Sequence, residues 1–231
     1  KKLLREEKWL SKKKFNNLYL VGGTWRALFK LHLFQNNHPV HIIHQYSIDN
    51  NVLSKFVEKI SSFNKSKLKT VEYISKSRTP YLPYSCIILD EIMRVTNPKN
   101  IICSISGLRE GSLSIDYFKD VKESEIFHKA LENIAKKRGD LGSNYKKYYD
   151  FIQPVFEGNE HFNKKLLYLA CVLSHMDWGL GAFQKAELVF QETINTPLLR
   201  LTHKERIQLA LSCYWRYCSI KYNPKIEYLT F

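Results

Sequence analysis

Leu18-Tyr19-Leu20-Val21-Gly22-Gly23-Thr24-Trp25-Arg26-Ala27-Leu28 is the stretch that decides the fold. Leu18–Val21 is a short apolar run that stops at two glycines. Trp25, Leu28, Phe29 and Leu31 then recur at three- and four-residue steps, the period of a helix with one buried side. The segment therefore reads as strand, tight glycine turn, helix. Glycine lets backbone amides come close to an anion, and the helix N-terminus behind it adds the positive end of its dipole. The Thr24 hydroxyl can cap that helix or donate to a phosphate oxygen. Gly22, Gly23 and Thr24 are thus the first candidate anion site, although a lone Gly-Gly also serves as a plain structural turn.

The same order recurs downstream. Asn100–Ser106 reads as a strand, Gly107 turns it, and Arg109–Phe118 begins a helix. Gly107 and Arg109 form the second candidate site. A guanidinium there can clamp a phosphate in a fork, or Arg109 and Glu110 can be an ordinary surface pair. Glu110 suits the first helical turn whatever the function. Two such turns in one domain point to a shared cleft.

Between the two turns, Asn36-Asn37-His38-Pro39 is a turn by composition, and Val40–Ile48 follows as a strand rich in β-branched and aromatic residues. Val52–Phe63 is an amphipathic helix and Leu68–Ile74 a short one. Arg78–Pro83 is a loop, because two prolines restrict its backbone. Tyr84–Val95 is a buried helix closed by Asn97-Pro98. Upstream, Leu3, Leu4, Trp9 and Leu10 mark one side of a helix ending near Lys14. Lys12-Lys13-Lys14 fits a solvated helix end better than a binding patch. The chain opens on Lys1 rather than Met, already in helical pattern, which points to a start inside a larger protein.

The second half changes character. Helical stripes appear at Ile126–Ile134, Leu166–Leu173 and Phe183–Ile194. Thr202 with Glu205 resembles a capping box ahead of Ile207–Trp215. Gly139–Gly142 and Gly158 mark loops. The expected organisation is α/β plus all-α: a mixed domain over 1–118 and a helical domain over 119–231.

The 231 residues are 44% apolar and 25% charged, as in an average globular protein. This excludes a disordered tail, a fibrous repeat and a disulfide-stapled mini-protein. The longest apolar run, Leu166–Leu173, is far short of the roughly 20 residues a membrane span needs. No signal peptide is evident.

The net charge is +14, unevenly spread: 19 basic and 9 acidic residues over 1–118, against 17 and 13 over 119–231. Such an excess favours polyanionic partners, although many of these lysines are simply solvated. Cys86, Cys103, Cys171, Cys213 and Cys218 include no C-x-x-C pair, which argues for reduced thiols in the cytoplasm. His41 and His44, placed on a strand, would point to opposite faces, so His38, His41 and His44 make a poor metal site. No reading helix or aromatic platform for nucleic acid is evident.

Taken together, the motifs resemble a known family. Leu18–Leu28 is similar to the second glycine loop of the exopolyphosphatase / guanosine pentaphosphate phosphohydrolase family. His38-Pro39-Val40-His41-Ile42-Ile43-His44 resembles the following segment of its alphaproteobacterial members. Arg78–Leu89 matches the next helix, and Ser106-Gly107-Leu108-Arg109-Glu110-Gly111 matches the Leu-Arg-Glu-Gly signature. The motifs keep the family's order and spacing. Similarity continues more weakly through Leu173–Trp178 and His203–Tyr217.

The resemblance implies the C-terminal part of an actin-like, ribonuclease H-like protein of the kind shared with sugar kinases. The second half of lobe two is followed by a degenerate HD-like helical domain. Members hydrolyse the terminal phosphate of inorganic polyphosphate or the 5′ phosphate of pppGpp, usually with Mg²⁺, and are often homodimers. By the resemblance, Gly22, Gly23 and Thr24 cradle phosphate, while Arg109 contacts phosphate or guanosine tetraphosphate. The family's Asp-x-Gly-Gly-Gly-Ser loop and general-base Glu have no counterpart in this sequence. Neither catalytic residues nor metal ligands are therefore expected here, and the chain alone is expected to have little hydrolase activity. At the leading HD position stands Ser174-His175. His175 and Asp177 are two apart and do not share a helix face, so the helical domain is expected to extend a basic groove rather than hold a metal. Two alternatives remain open: a non-catalytic module binding polyphosphate or an alarmone, and an HD-type nucleotide phosphohydrolase.

Overall fold

The computed structural model describes residues 4, 6–12, 15–64, 67, 74–137, 144–160, 162–174, 181–196 and 201–218. The chain divides into two compact units, Lys1–Ser112 and Leu113–Phe231.

Unit 1 is built on a three-stranded sheet of order β1-β3-β2: β1 (Asn17–Val21), β2 (Ser47–Asp49) and β3 (Asn100–Ser104). β1 and β3 run parallel, with Leu20 opposite Cys103 and Val21 opposite Ser104; β2 runs antiparallel to β3. Period-two alternation turns Leu18, Leu20, Ile101 and Cys103 toward the core and leaves Tyr19 and Val21 about half exposed on the other face. Around the core lie α1 (Lys8–Lys12), α2 (Gly23–Gln35), α3 (Asn50–Ser61) and α4 (Leu82–Thr96). Leu28, Phe29 and Leu33 of α2, Leu53, Val57 and Ile60 of α3, and Leu82, Cys86 and Leu89 of α4 are fully buried. Each large side chain removed from water contributes about 1.5–3 kcal/mol. α5 (Leu108–Tyr117) begins in unit 1, crosses the division and buries none of its residues.

Three expectations need correction. The strand over Val40–Ile48 contracts to Ser47–Asp49. Gln45 takes a positive φ of 59°, which breaks extended geometry, and Val40, Ile43 and His44 are buried as irregular chain. His44 accepts from the Ile105 N–H at 3.4 Å, while His41 is exposed, so these two histidines diverge without being on a strand. Arg78–Pro83 is not all loop. Thr79–Tyr81 forms a 3-10 turn and α4 starts at Leu82, with Pro83 in its first turn, where a missing N–H costs nothing. Lastly, α4 is amphipathic rather than buried: Tyr84 is 68% exposed and Ile87 and Ile88 are each 56% exposed. Its end falls as read, at Asn97 in the left-handed conformation.

Every described element that begins in unit 2 is helical: α6 (Glu123–Lys137), α7 (Tyr145–Ile152), a 3-10 turn (Gln153–Phe156), α8 (Lys164–Leu173), α9 (Ala182–Asn195) and α10 (His203–Trp215). The Thr202/Glu205 capping box is present, with Glu205 N–H donating to the Thr202 hydroxyl at 3.2 Å and Thr202 N–H to the Glu205 carboxylate at 2.8 Å. Helix α7 has no counterpart in the sequence reading. Its aromatics Tyr145 and Tyr149 are buried, and Tyr149 stacks on Tyr168 of α8 with ring centroids 3.7 Å apart. The helix expected over Leu68–Ile74, the Gly139–Gly142 loop and the His175–Asp177 pair lie outside the described residues. All five cysteines are free thiols, four of them buried.

Candidate functional site

Both glycine turns leave the C-terminal ends of neighbouring parallel strands. β1 runs through Gly22 into α2, and β3 runs by way of Ile105 and Ser106 to Gly107 and α5. Adjacent strands are about 4.8 Å apart, so the two turns emerge side by side. A Cβ placed on Gly107 would sit 3.8 Å from Val21 Cγ1. The structure thus brings Gly22, Gly23 and Thr24 to the same sheet edge as Gly107 and Arg109.

The first turn is open. Gly22 has φ 128° and ψ 164°, a conformation that only glycine adopts without strain. No side chain caps the N-terminus of α2, and Thr24 is half-buried beside it. Two guanidinium groups bind the turn's carbonyls instead: Arg26 Nε donates to Gly22 O at 3.4 Å, and Arg78 Nη1 to Gly23 O at 3.3 Å. Gly23 has no side chain because Arg78 occupies the space. A Cβ there would lie 2.5 Å from Arg78 Cζ. The arrangement is an uncapped helix N-terminus flanked by two fixed cations.

The second turn carries its own anion. The Gly107 N–H donates to the Glu110 carboxylate at 2.6 Å. This bond, and one from Glu110's own amide, hold that carboxyl below the usual carboxylate range, with Arg109 and Arg26 adding to the effect. Arg109 is exposed in the first turn of α5. The Cys103 thiol, at the end of β3, is pushed up to about 12 by burial, against the pull of Arg26. Arg26 therefore acts on groups of both strands' ends.

Arg26 and Arg78 were not singled out as site residues from sequence. Arg26 carried a usable signal: it lies one turn into α2, at the spacing that reaches back to Gly22. Arg78 is 55 residues from Gly23 and only folding joins them.

A hard divalent cation needs several oxygen donors, chiefly carboxylates. At these turns the carboxylate on the page is Glu110, committed to a backbone amide and influenced by two arginines. This donor set does not fit Mg²⁺. Among the described residues no group of three or more His, Cys, Asp or Glu side chains could hold a metal ion, and no helix is long and apolar enough to cross a membrane.

Parallel strands that feed glycine turns and helix N-termini are how α/β proteins receive phosphorylated ligands. The family model of the Ppx/GppA phosphatase family matches residues 1–117. The chain belongs to that family, a family of phosphohydrolases acting on polyphosphate or pppGpp and generally dependent on a divalent metal. Membership makes the matched residues part of an actin-like lobe. A comparison with curated proteins finds no match.

Proposed function

We propose that the chain is the phosphate-gripping part of an exopolyphosphatase-type hydrolase, acting on the terminal phosphoryl groups of inorganic polyphosphate or pppGpp. The carrying observation is the uncapped α2 N-terminus at Gly22–Gly23 with Arg26 and Arg78 bound to the turn's carbonyls. The Gly23 and Thr24 amides and the Thr24 hydroxyl donate to phosphoryl oxygens, while Arg26 and Arg78 offset their charge. Arg109, from the neighbouring turn, takes the next phosphoryl unit. Fixed donors of this kind stabilise the charge that develops on a transferring phosphoryl group.

Binding without turnover is the expected behaviour of this chain by itself. Glu110 is hydrogen-bonded to Gly107 and flanked by arginines, which suits it poorly to accept a proton from water. The helical unit is proposed as a degenerate HD-like domain without a metal centre, and the assembly as a homodimer.

Isothermal titration of the chain with medium-length polyphosphate tests the reading. Affinity is expected to fall steeply between 50 and 300 mM salt. Arg78→Gln and Arg109→Ala are each expected to weaken it by about tenfold, the loss of one charge-assisted contact, with unchanged far-ultraviolet dichroism. Equal affinity in both variants and the parent would remove these turns from the site.

A further inference from the structure

The core of unit 2 is notched where α7, α8 and α10 meet. A cleft of about 350 Å³ opens there. Its walls are Tyr148 and Ile152 of α7 and Leu167 and Ala170 of α8, all packed against the core yet only half-buried. Around them the core is closed: Leu169, Val172, Leu173, Leu209 and Cys213 are at most 1% exposed. An apolar surface left open beside a close-packed core has the size and lining of a small-molecule site.

One end of the cleft is polar and built. Ser174 caps α8 and is nine-tenths buried. Arg216 Nη1 donates to its hydroxyl oxygen at 2.7 Å, and the Tyr217 hydroxyl donates to its carbonyl at 2.7 Å. The Ser174 oxygen is therefore an acceptor toward Arg216, and its own proton is directed elsewhere. A guanidinium has five N–H donors, so the Ser174 bond uses one. The Arg216 charge also reaches the cleft floor: burial pushes the Cys171 thiol up to about 11, and Arg216 opposes that rise. Ser212 lines the same end, its hydroxyl donating to the Gln208 carbonyl at 2.9 Å. An apolar trough that ends in a guanidinium and a hydroxyl proton is complementary to an oxyanion with an apolar body.

We propose that this cleft binds a small amphipathic carboxylate, its head on Arg216 and Ser174 and its chain along Tyr148, Ile152, Leu167 and Ala170. At ~30 Å³ per water-sized volume the space takes about a dozen such volumes, which suits a medium-chain acyl group. The site lies wholly within unit 2 and is independent of the glycine turns.

The test uses the full chain and decanoate, with decanol as the uncharged probe of equal length. Two-dimensional amide spectra are recorded during titration. Saturable one-to-one binding of decanoate is expected, with shifts centred on α7, α8 and α10, and decanol about tenfold weaker for want of the charged contact. Arg216→Gln is expected to abolish that difference, and Ala170→Leu to weaken both probes by filling the trough. Melting midpoints of both variants are measured alongside. Should a variant prove unstable, the shift map on the parent protein decides by itself. No saturation, shifts centred elsewhere, or equal affinity for decanoate and decanol in the parent would overturn the proposal.

Discussion

Acid is expected to destabilise unit 1 through His32, and the size of the effect follows from its surroundings. The His32 side chain is 6% exposed. It packs edge-on against Phe56 at 4.9 Å between centroids and shares a hydrogen bond with the Tyr46 hydroxyl at 3.2 Å. Burial, and the nearby His38, lower its pKa from 6.5 to about 4. His38 is lowered as well, by burial first and by His41, against a bond to the Val40 carbonyl. The unfolded chain therefore binds a proton near pH 6.5 that the folded chain refuses until about pH 4. Stability is full above pH 6.5 and declines as pH falls from 6.5 toward 4. The whole difference, 6.5 less 4 at 1.36 kcal/mol per pH unit, sets a ceiling of about 3.4 kcal/mol for His32. Relaxation and water penetration around the charged ring reduce this to about 1.5–2 kcal/mol. Urea unfolding at pH 7.5 and 4.5, for the parent and His32→Gln, reads the effect directly. The parent is expected to lose about 1.5 kcal/mol more than the variant over that interval. Ring resonances of His32 are expected to titrate near pH 4. Identical losses in both proteins, or titration near 6.5, would refute the reasoning.

Two further substitutions probe separate links. Gly23→Ala places a methyl group where the Arg78 guanidinium lies and so displaces it from the Gly23 carbonyl. Because the obstacle is the far end of a flexible side chain, stability is expected to change by under ~1 kcal/mol while polyphosphate affinity falls; unchanged affinity by titration calorimetry would separate Arg78 from phosphate binding. Arg206, 2% exposed, donates to the Ile194 and Thr196 carbonyls at the end of α9, and burial lowers its pKa. Arg206→Met leaves those carbonyls without that donor and is expected to cost about 2–4 kcal/mol in urea unfolding; a loss under ~0.5 kcal/mol would show that packing, not hydrogen bonding, holds that corner.

Much of this protein was legible along the chain because local chemistry decided it. The Leu18–Val21 run, the glycines after it and the Thr202/Glu205 box name their own structures within a few residues, as do the apolar periods of α2, α3 and α8–α10. Helix α7 was missed because its buried residues are tyrosines, which a search for aliphatic stripes passes over. The Val40–Ile48 strand failed for the opposite reason: β-branched residues there bury an irregular segment, a choice made by the space beside β3 rather than by propensity.

Sequence alone determined that two strand–glycine–helix turns exist and that a basic, phosphate-seeking family claims them, since each turn is set by residues close in the chain. Tertiary structure decided what surrounds the turns. The pairing of β1 with β3 sets them side by side, and a contact across 55 residues places Arg78 against Gly23. The second amide is already satisfied by Glu110, leaving the first turn uncapped. Spacing in sequence determines local dihedral angles. Which cation meets which carbonyl depends on long-range packing, and that is settled only when the chain closes on itself.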